Sequence, residues 1–159
     1  MYLKRFCIMV AIFWVATIST FAQGRKVEFM PRAGFSVLKN YGGRTDGGYN
    51  IGGMVSVPLA ERFSISVAPS FNSVGGQDNR FSALLFPVYA SYRVPIQDID
   101  LHFHIGPHGQ LGDQYDLGVS AEVGLEYRKW YLGGYAFQNL VTLDNVDAFF
   151  GVSLGYKFK

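Results

Sequence analysis

His102, His104 and His108 stand at even spacing, with Asp100 two residues before the first of them. On an extended strand, side chains alternate between faces, so all four project to one side. Imidazoles are good ligands for zinc, copper or nickel, and two on one face could reach a single ion. The rise of about 6.8 Å per two residues strains such chelation unless His108 sits on a flexible loop. The plainer reading makes the three histidines half-polar fillers and hydrogen-bond partners of carboxylates such as Glu122. No metal or other cofactor is assigned.

A serine nucleophile beside a histidine base would support acyl hydrolysis or acyl transfer on a lipid. Ser91, Ser120 and Ser153 are the candidates, each paired with a histidine of the same segment 99–108. None stands in a recognised nucleophile motif, so the expectation is a chain that is not an enzyme. The glycine pairs Gly42-Gly43, Gly52-Gly53, Gly75-Gly76 and Gly133-Gly134 are not followed by Gly-Lys-Ser and do not lie between a strand and a helix. A phosphate cradle is therefore excluded.

The elements that must position these residues show a period of two. Phe150, Val152, Leu154, Tyr156 and Phe158 alternate with Gly151, Ser153, Gly155 and Lys157. Leu117, Val119, Ala121, Val123, Leu125 and Tyr127 alternate in the same way with Asp116, Gly118, Ser120, Glu122, Gly124, Glu126 and Arg128. Phe63, Ile65, Val67, Pro69 and Phe71 do so with Ser64, Ser66, Ala68, Ser70 and Asn72. A helix would scatter each set around its circumference, so these are strands. The pattern predicts eight of them, near 26–38, 48–58, 62–73, 80–93, 99–108, 115–128, 130–141 and 148–158, with weaker alternation in the fourth and seventh.

Connections alternate in length. Leu59 to Glu61, Val94 to Asp98, and Arg128-Lys129 are short, whereas the segments around Asn40–Gly47, Val74–Asn79, Gly109–Gln114 and Leu143–Asp147 are longer and polar or glycine-rich. Short turns at one end and long loops at the other predict an all-β, eight-stranded antiparallel up-and-down transmembrane β-barrel, with turns in the periplasm and loops outside.

The first residues read as a secretory signal. Lys4 and Arg5 precede an uncharged stretch from Phe6 to Phe21, and Thr20 and Ala22 suit cleavage after Ala22. The expected division is a signal peptide over 1–22 and a barrel domain over 23–159. Cleavage would leave 159 − 22 = 137 residues and 14 − 2 = 12 basic against 12 acidic side chains, a balance that offers nothing to nucleic acid. Cys7, the only cysteine, falls within the signal, so the mature chain would hold no thiol.

A soluble eight-stranded barrel must fill its interior with bulky apolar side chains, whereas a membrane barrel turns them outward. Here the face opposite the large residues carries Gly, Ser and Ala with charges. Glu28, Arg32, Glu122, Glu126, Arg128 and Lys157 are expected to form an ionic network inside the lumen, with Glu28 and Arg32 next to Lys157 across the seam between the first and last strands. Aromatics at strand ends, Tyr49, Phe63, Phe71, Phe81, Tyr92, Tyr115, Tyr127, Trp130, Tyr131, Tyr156 and Phe158, fit the girdles of such barrels. These features point to the outer membrane of a Gram-negative cell over a soluble periplasmic ligand-binding barrel.

Four segments carry a family resemblance: Val57-Pro58-Leu59-Ala60-Glu61-Arg62-Phe63-Ser64-Ile65, Leu84-Leu85-Phe86-Pro87-Val88-Tyr89-Ala90-Ser91-Tyr92, Asp116 to Tyr127, and Phe150 to Phe158. In order and spacing they resemble the PorT-like outer-membrane β-barrel proteins of Bacteroidetes. Ala68 departs from the glutamate often found in that family's third strand, and Lys159 extends past the terminal aromatic. The resemblance implies an outer-membrane location and a role tied to protein secretion or surface maturation, and it supplies no functional residue. The expected partners are outer-membrane lipid and an envelope or surface protein met through the external loops. A lipid-modifying enzyme, acyl hydrolase or acyltransferase, is the alternative.

Overall fold

The computed structural model describes residues 26–39, 45–75, 80–112, 115–140 and 148–158. The expected signal peptide over 1–22 lies outside the described residues, as does part of each long connection. The strands are β1 (Glu28–Lys39), β2 (Thr45–Pro58), β3 (Phe63–Val67), β4 (Ser70–Gly75), β5 (Arg80–Ile96), β6 (Ile99–Gly112), β7 (Asp116–Tyr127), β8 (Trp130–Asn139) and β9 (Ala148–Tyr156).

β3 and β4 are two halves of one stave. Val67 faces Val55 and Ser70 faces Gly52, so the register along β2 is unbroken across Ala68 and Pro69. Pro69 has no N–H to give the ladder. Its carbonyl still accepts from Gly53, and Ala68 N–H donates to Pro87. Nine strands with two of them joined make eight staves. Each pairs antiparallel with its sequence neighbour, and β1 pairs with β9 to close the ring. Closure leaves no open edge, which hydrocarbon requires because it cannot hydrogen-bond a free backbone group.

Facing follows the alternation. Along β7, Asp116, Gly118, Ser120, Glu122, Gly124 and Glu126 point inward, while Leu117, Val119, Val123, Leu125 and Tyr127 are exposed. On β9, Ser153 and Gly155 are buried and Phe150, Val152 and Leu154 are exposed. The large apolar side chains therefore face outward, the arrangement of a membrane barrel, and the soluble alternative is overturned. At the turn end the outer face carries an aromatic girdle, with Phe63 on Tyr92 and with Trp130, Tyr156, Phe158 and Phe29 in sequence of contact.

The lumen is not lined only by small and polar groups. β8 turns Tyr131, Tyr135 and Phe137 inward, and Phe149 of β9 joins them. Phe81, Leu38, Val74 and Leu85 pack with Tyr135, Phe137 and Phe149 near the loop end. Met30, Met54, Ala68, Tyr89 and Tyr131 form a second apolar cluster nearer the turns. Glycine makes room for the tyrosines. A Cβ at Gly124 would fall inside the Tyr131 ring, and one at Gly151 would collide with the Tyr135 ring.

The strands also run further than the alternation predicts. β2 starts at Thr45, β5 continues to Ile96 and β6 to Gly112, so the connection between β5 and β6 shrinks to Gln97 and Asp98. Gln97 and Arg128, each the first residue of a two-residue turn, take positive φ values of 54° and 58°.

Candidate functional site

The chemistry lies in the lumen, on the inward faces that alternation selects. Arg32 of β1 reaches across to β7, where its Nη1 stands 2.6 Å from Glu122 Oε1. The hydroxyl of Tyr131, on β8, donates to the same oxygen at 2.6 Å. All three residues are buried. Isolated in such a site, either charge would be costly, and each is compensated by the other.

A second ionic group closes the seam at the turn end. Lys157 Nζ lies 2.8 Å from Glu28 Oε2 and 2.9 and 2.8 Å from the two carboxylate oxygens of Glu126. His102 Nε2 stands 3.0 Å from Glu126 Oε2. Asp100 is next along β6, with its Oδ2 3.7 Å from Arg93 Nη1. Around these groups opens a cavity of about 90 Å³ whose walls include His104, Ser91 and Tyr131.

Of the residues expected to form the network, Glu28, Arg32, Glu122, Glu126 and Lys157 stand in the lumen in two groups. Arg32 differs from the expected placement: it crosses to Glu122 instead of sitting beside Lys157. Arg128 is not in the lumen. The chain leaves β7 at Tyr127, and Arg128 occupies the turn, exposed, with its guanidinium carbon 5.2 Å from the centre of the Tyr127 ring. Inward parity ends where the strand ends.

The histidines part company. His108 packs edge-on against Phe137 and hydrogen-bonds Asn139 at 3.0 Å, and Asn139 in turn donates to Gln110. His102 and His104 stack with ring centres 5.8 Å apart. His104 Nδ1 is 2.7 Å from Ser91 Oγ, the end of a hydroxyl chain through Ser66 to Ser56. Its Nε2 is buried without a hydrogen-bond partner. The three-histidine set thus does not converge. Asp100, His102 and Glu126 do, with one ligand atom from each lying within 4.8 Å of the others.

Several lumen groups were not singled out from the sequence. Tyr131, expected in the girdle, is 2% exposed and serves the charge pair. The Tyr135 hydroxyl shares a hydrogen bond with Ser36 and accepts one from Asn50 Nδ2, both at 2.6 Å, and Ser36 donates to Asn72. The signal was present in the parity of β8, where Tyr131, Tyr135 and Phe137 share a face, but both faces there are apolar.

The sequence matches no protein-family model and no curated protein. The fold is shared with solved outer-membrane proteins. Neisserial surface protein A superposes with a TM-score of 0.64 at 12% identity, covering 83% of this chain and 97% of that one. Ail, the attachment invasion locus protein of Yersinia pestis, gives 0.56 at 12% identity over 84% of this chain and 99% of its own. The outer-membrane enzyme PagL gives 0.54 at 17% identity over 82% and 98%. At these identities the likeness is one of fold, and this chain has the fold of the small eight-stranded transmembrane barrels of the outer membrane.

Proposed function

We propose that this chain is a non-enzymatic barrel of the Gram-negative outer membrane that works through its rims, with its external loops contacting an envelope or surface protein. The closed lumen carries this reading. Arg32, Glu122 and Tyr131 meet inside it, and apolar clusters lie on both sides, so solute passage is the poorer role. The resemblance to PorT-like barrels extends the reading to protein secretion or surface maturation. Cell fractionation, a heat-dependent gel shift and liposome swelling would test it. An outer-membrane protein that shifts on heating and passes no small sugar is expected. Swelling at porin-like rates would overturn the closed-lumen reading, and in-cell crosslinking at the loops that captures no envelope protein would overturn the partner.

The second reading is a lipid-modifying enzyme, favoured by the 2.7 Å contact of Ser91 with His104. Against it, both residues are buried and Ser91 is also held by Ser66. Ser91→Ala would abolish any lipid change seen on overexpression. An unchanged lipid profile in the deletion and overexpression strains removes this reading.

A further inference from the structure

We propose that Asp100, His102 and Glu126 form a divalent-cation site of the zinc class at the turn-end mouth of the lumen, with Lys157 as its built-in competitor. This goes beyond the role proposed above and stands or falls separately from it.

The three ligand atoms come from two neighbouring strands whose register fixes their proximity. Asp100 of β6 faces Glu126 of β7, and His102 follows on the same inward face. One imidazole nitrogen and two carboxylate oxygens suit Zn²⁺, which takes three protein ligands and leaves a position for water where the site is open. Zinc bonds of about 2.1 Å put tetrahedral ligand atoms about 3.4 Å apart. The three atoms already lie within 4.8 Å of one another. Asp100 is the ligand able to move inward, because its side chain is 28% exposed and its Arg93 contact is 3.7 Å long. The adjoining cavity of about 90 Å³ supplies the way in.

A second observation points the same way. His104, stacked on His102 and lining the same cavity, is 4% exposed and leaves Nε2 without a hydrogen-bond partner. A buried imidazole nitrogen in that condition is a polar group awaiting a partner such as metal-bound water.

Lys157 makes the site conditional. Its ammonium and His102 Nε2 both address Glu126 Oε2, at 2.8 and 3.0 Å. A cation on that oxygen must be accommodated beside the ammonium, whose remaining contacts are Glu126 Oε1 and Glu28. Cation binding would therefore loosen the clamp between β9 and β7 while Glu28 keeps its hold.

The test is zinc titration of the untagged, refolded barrel in detergent by calorimetry, with urea unfolding as a second readout. One saturable ion is expected, together with a higher unfolding midpoint in zinc. His102→Ala should lower the affinity at least tenfold and abolish the midpoint shift, while His108→Ala leaves both unchanged. Lys157→Met should tighten binding at least tenfold by removing the competing charge. Asp100→Asn, at a partly exposed position, repeats the His102 test if that variant fails to fold. No saturable binding to the parent or to Lys157→Met, or an affinity equal to the parent's in both His102→Ala and Asp100→Asn, would overturn the proposal.

Discussion

Arg32 and Glu122, 90 positions apart in the chain, meet at 2.6 Å across the inside of the barrel. The pair joins β1 to β7, which are not neighbours in the ring, so it braces the lumen from wall to wall. Glu122→Ala would leave Arg32 buried and uncompensated, at a cost of about 3–5 kcal/mol. Glu61→Ala, in an exposed turn, should cost little. Replacing the whole group by Arg32→Met, Glu122→Leu and Tyr131→Phe, which leaves no buried donor or charge unpaired, should recover most of the loss. Urea midpoints in detergent check all three, and equal midpoints for Glu122→Ala and Glu61→Ala would show the pair to be solvated.

Tyr131→Phe removes the hydroxyl that donates to Glu122 while keeping the ring in place. A hydrogen bond to a charged group contributes about 1.5–3 kcal/mol. The same unfolding measurement should register a loss in that range, smaller than that of Glu122→Ala. A variant as stable as the parent would mean that Arg32 alone satisfies the carboxylate.

Gly124 and Gly134 should answer differently to the same substitution. An alanine methyl at Gly124 collides with the Tyr131 ring, whereas at Gly134 nothing lies within 4 Å. Gly124→Ala is expected to lose about 1–3 kcal/mol through overpacking. Gly134→Ala should be close to neutral. Comparable losses at both positions would contradict the inward packing of Tyr131.

Val152 faces outward at mid-strand on β9. Val152→Arg should raise the cost of insertion by about 2–4 kcal/mol. The fraction of heat-shifting protein after folding into vesicles reads this directly. Unimpaired insertion would place that face away from hydrocarbon.

Arg128 sits in a turn at positive φ, where asparagine is tolerated and a β-branched residue is not. Arg128→Val should cost about 1–2 kcal/mol and Arg128→Asn much less. If the guanidinium were a lumen partner, both substitutions would be equally damaging.

The facing of β7 and β9 was legible because small or charged residues alternate there with large apolar ones. β8 was not, since Leu132 and Ala136 on one side and Tyr131 and Phe137 on the other are all apolar, and period two carries no sign when both faces look alike. Only the size of the opposing glycines, Gly124 and Gly151, distinguishes the inner face, and that is a cross-strand relation invisible in one strand. The extra length of β2, β5 and β6 was hidden for another reason. Ladder hydrogen bonds must continue wherever the ring continues, whatever side chains the residues carry. The parity of β7, carried one residue further, puts Arg128 inside, but the alternation stops at Tyr127, where the turn begins. The pairing of Asp100 with Glu126 depends on the β6–β7 register, which turn length sets and which the sequence leaves open by a residue or two.

The seam has a kinetic meaning. Gly155 pairs with Arg32, 155 − 32 = 123 positions earlier, only after the strands between them have taken up their places. Contacts this distant in sequence make folding slow, because the entropy of closing so long a segment must be lost before the contact repays it. Until β9 arrives, β1 and the growing sheet each present an unsatisfied edge to the bilayer. Lys157, just beyond β9, can engage Glu28 only in that final step, so the clamp it forms is a latch on a finished cylinder and not a guide to its assembly.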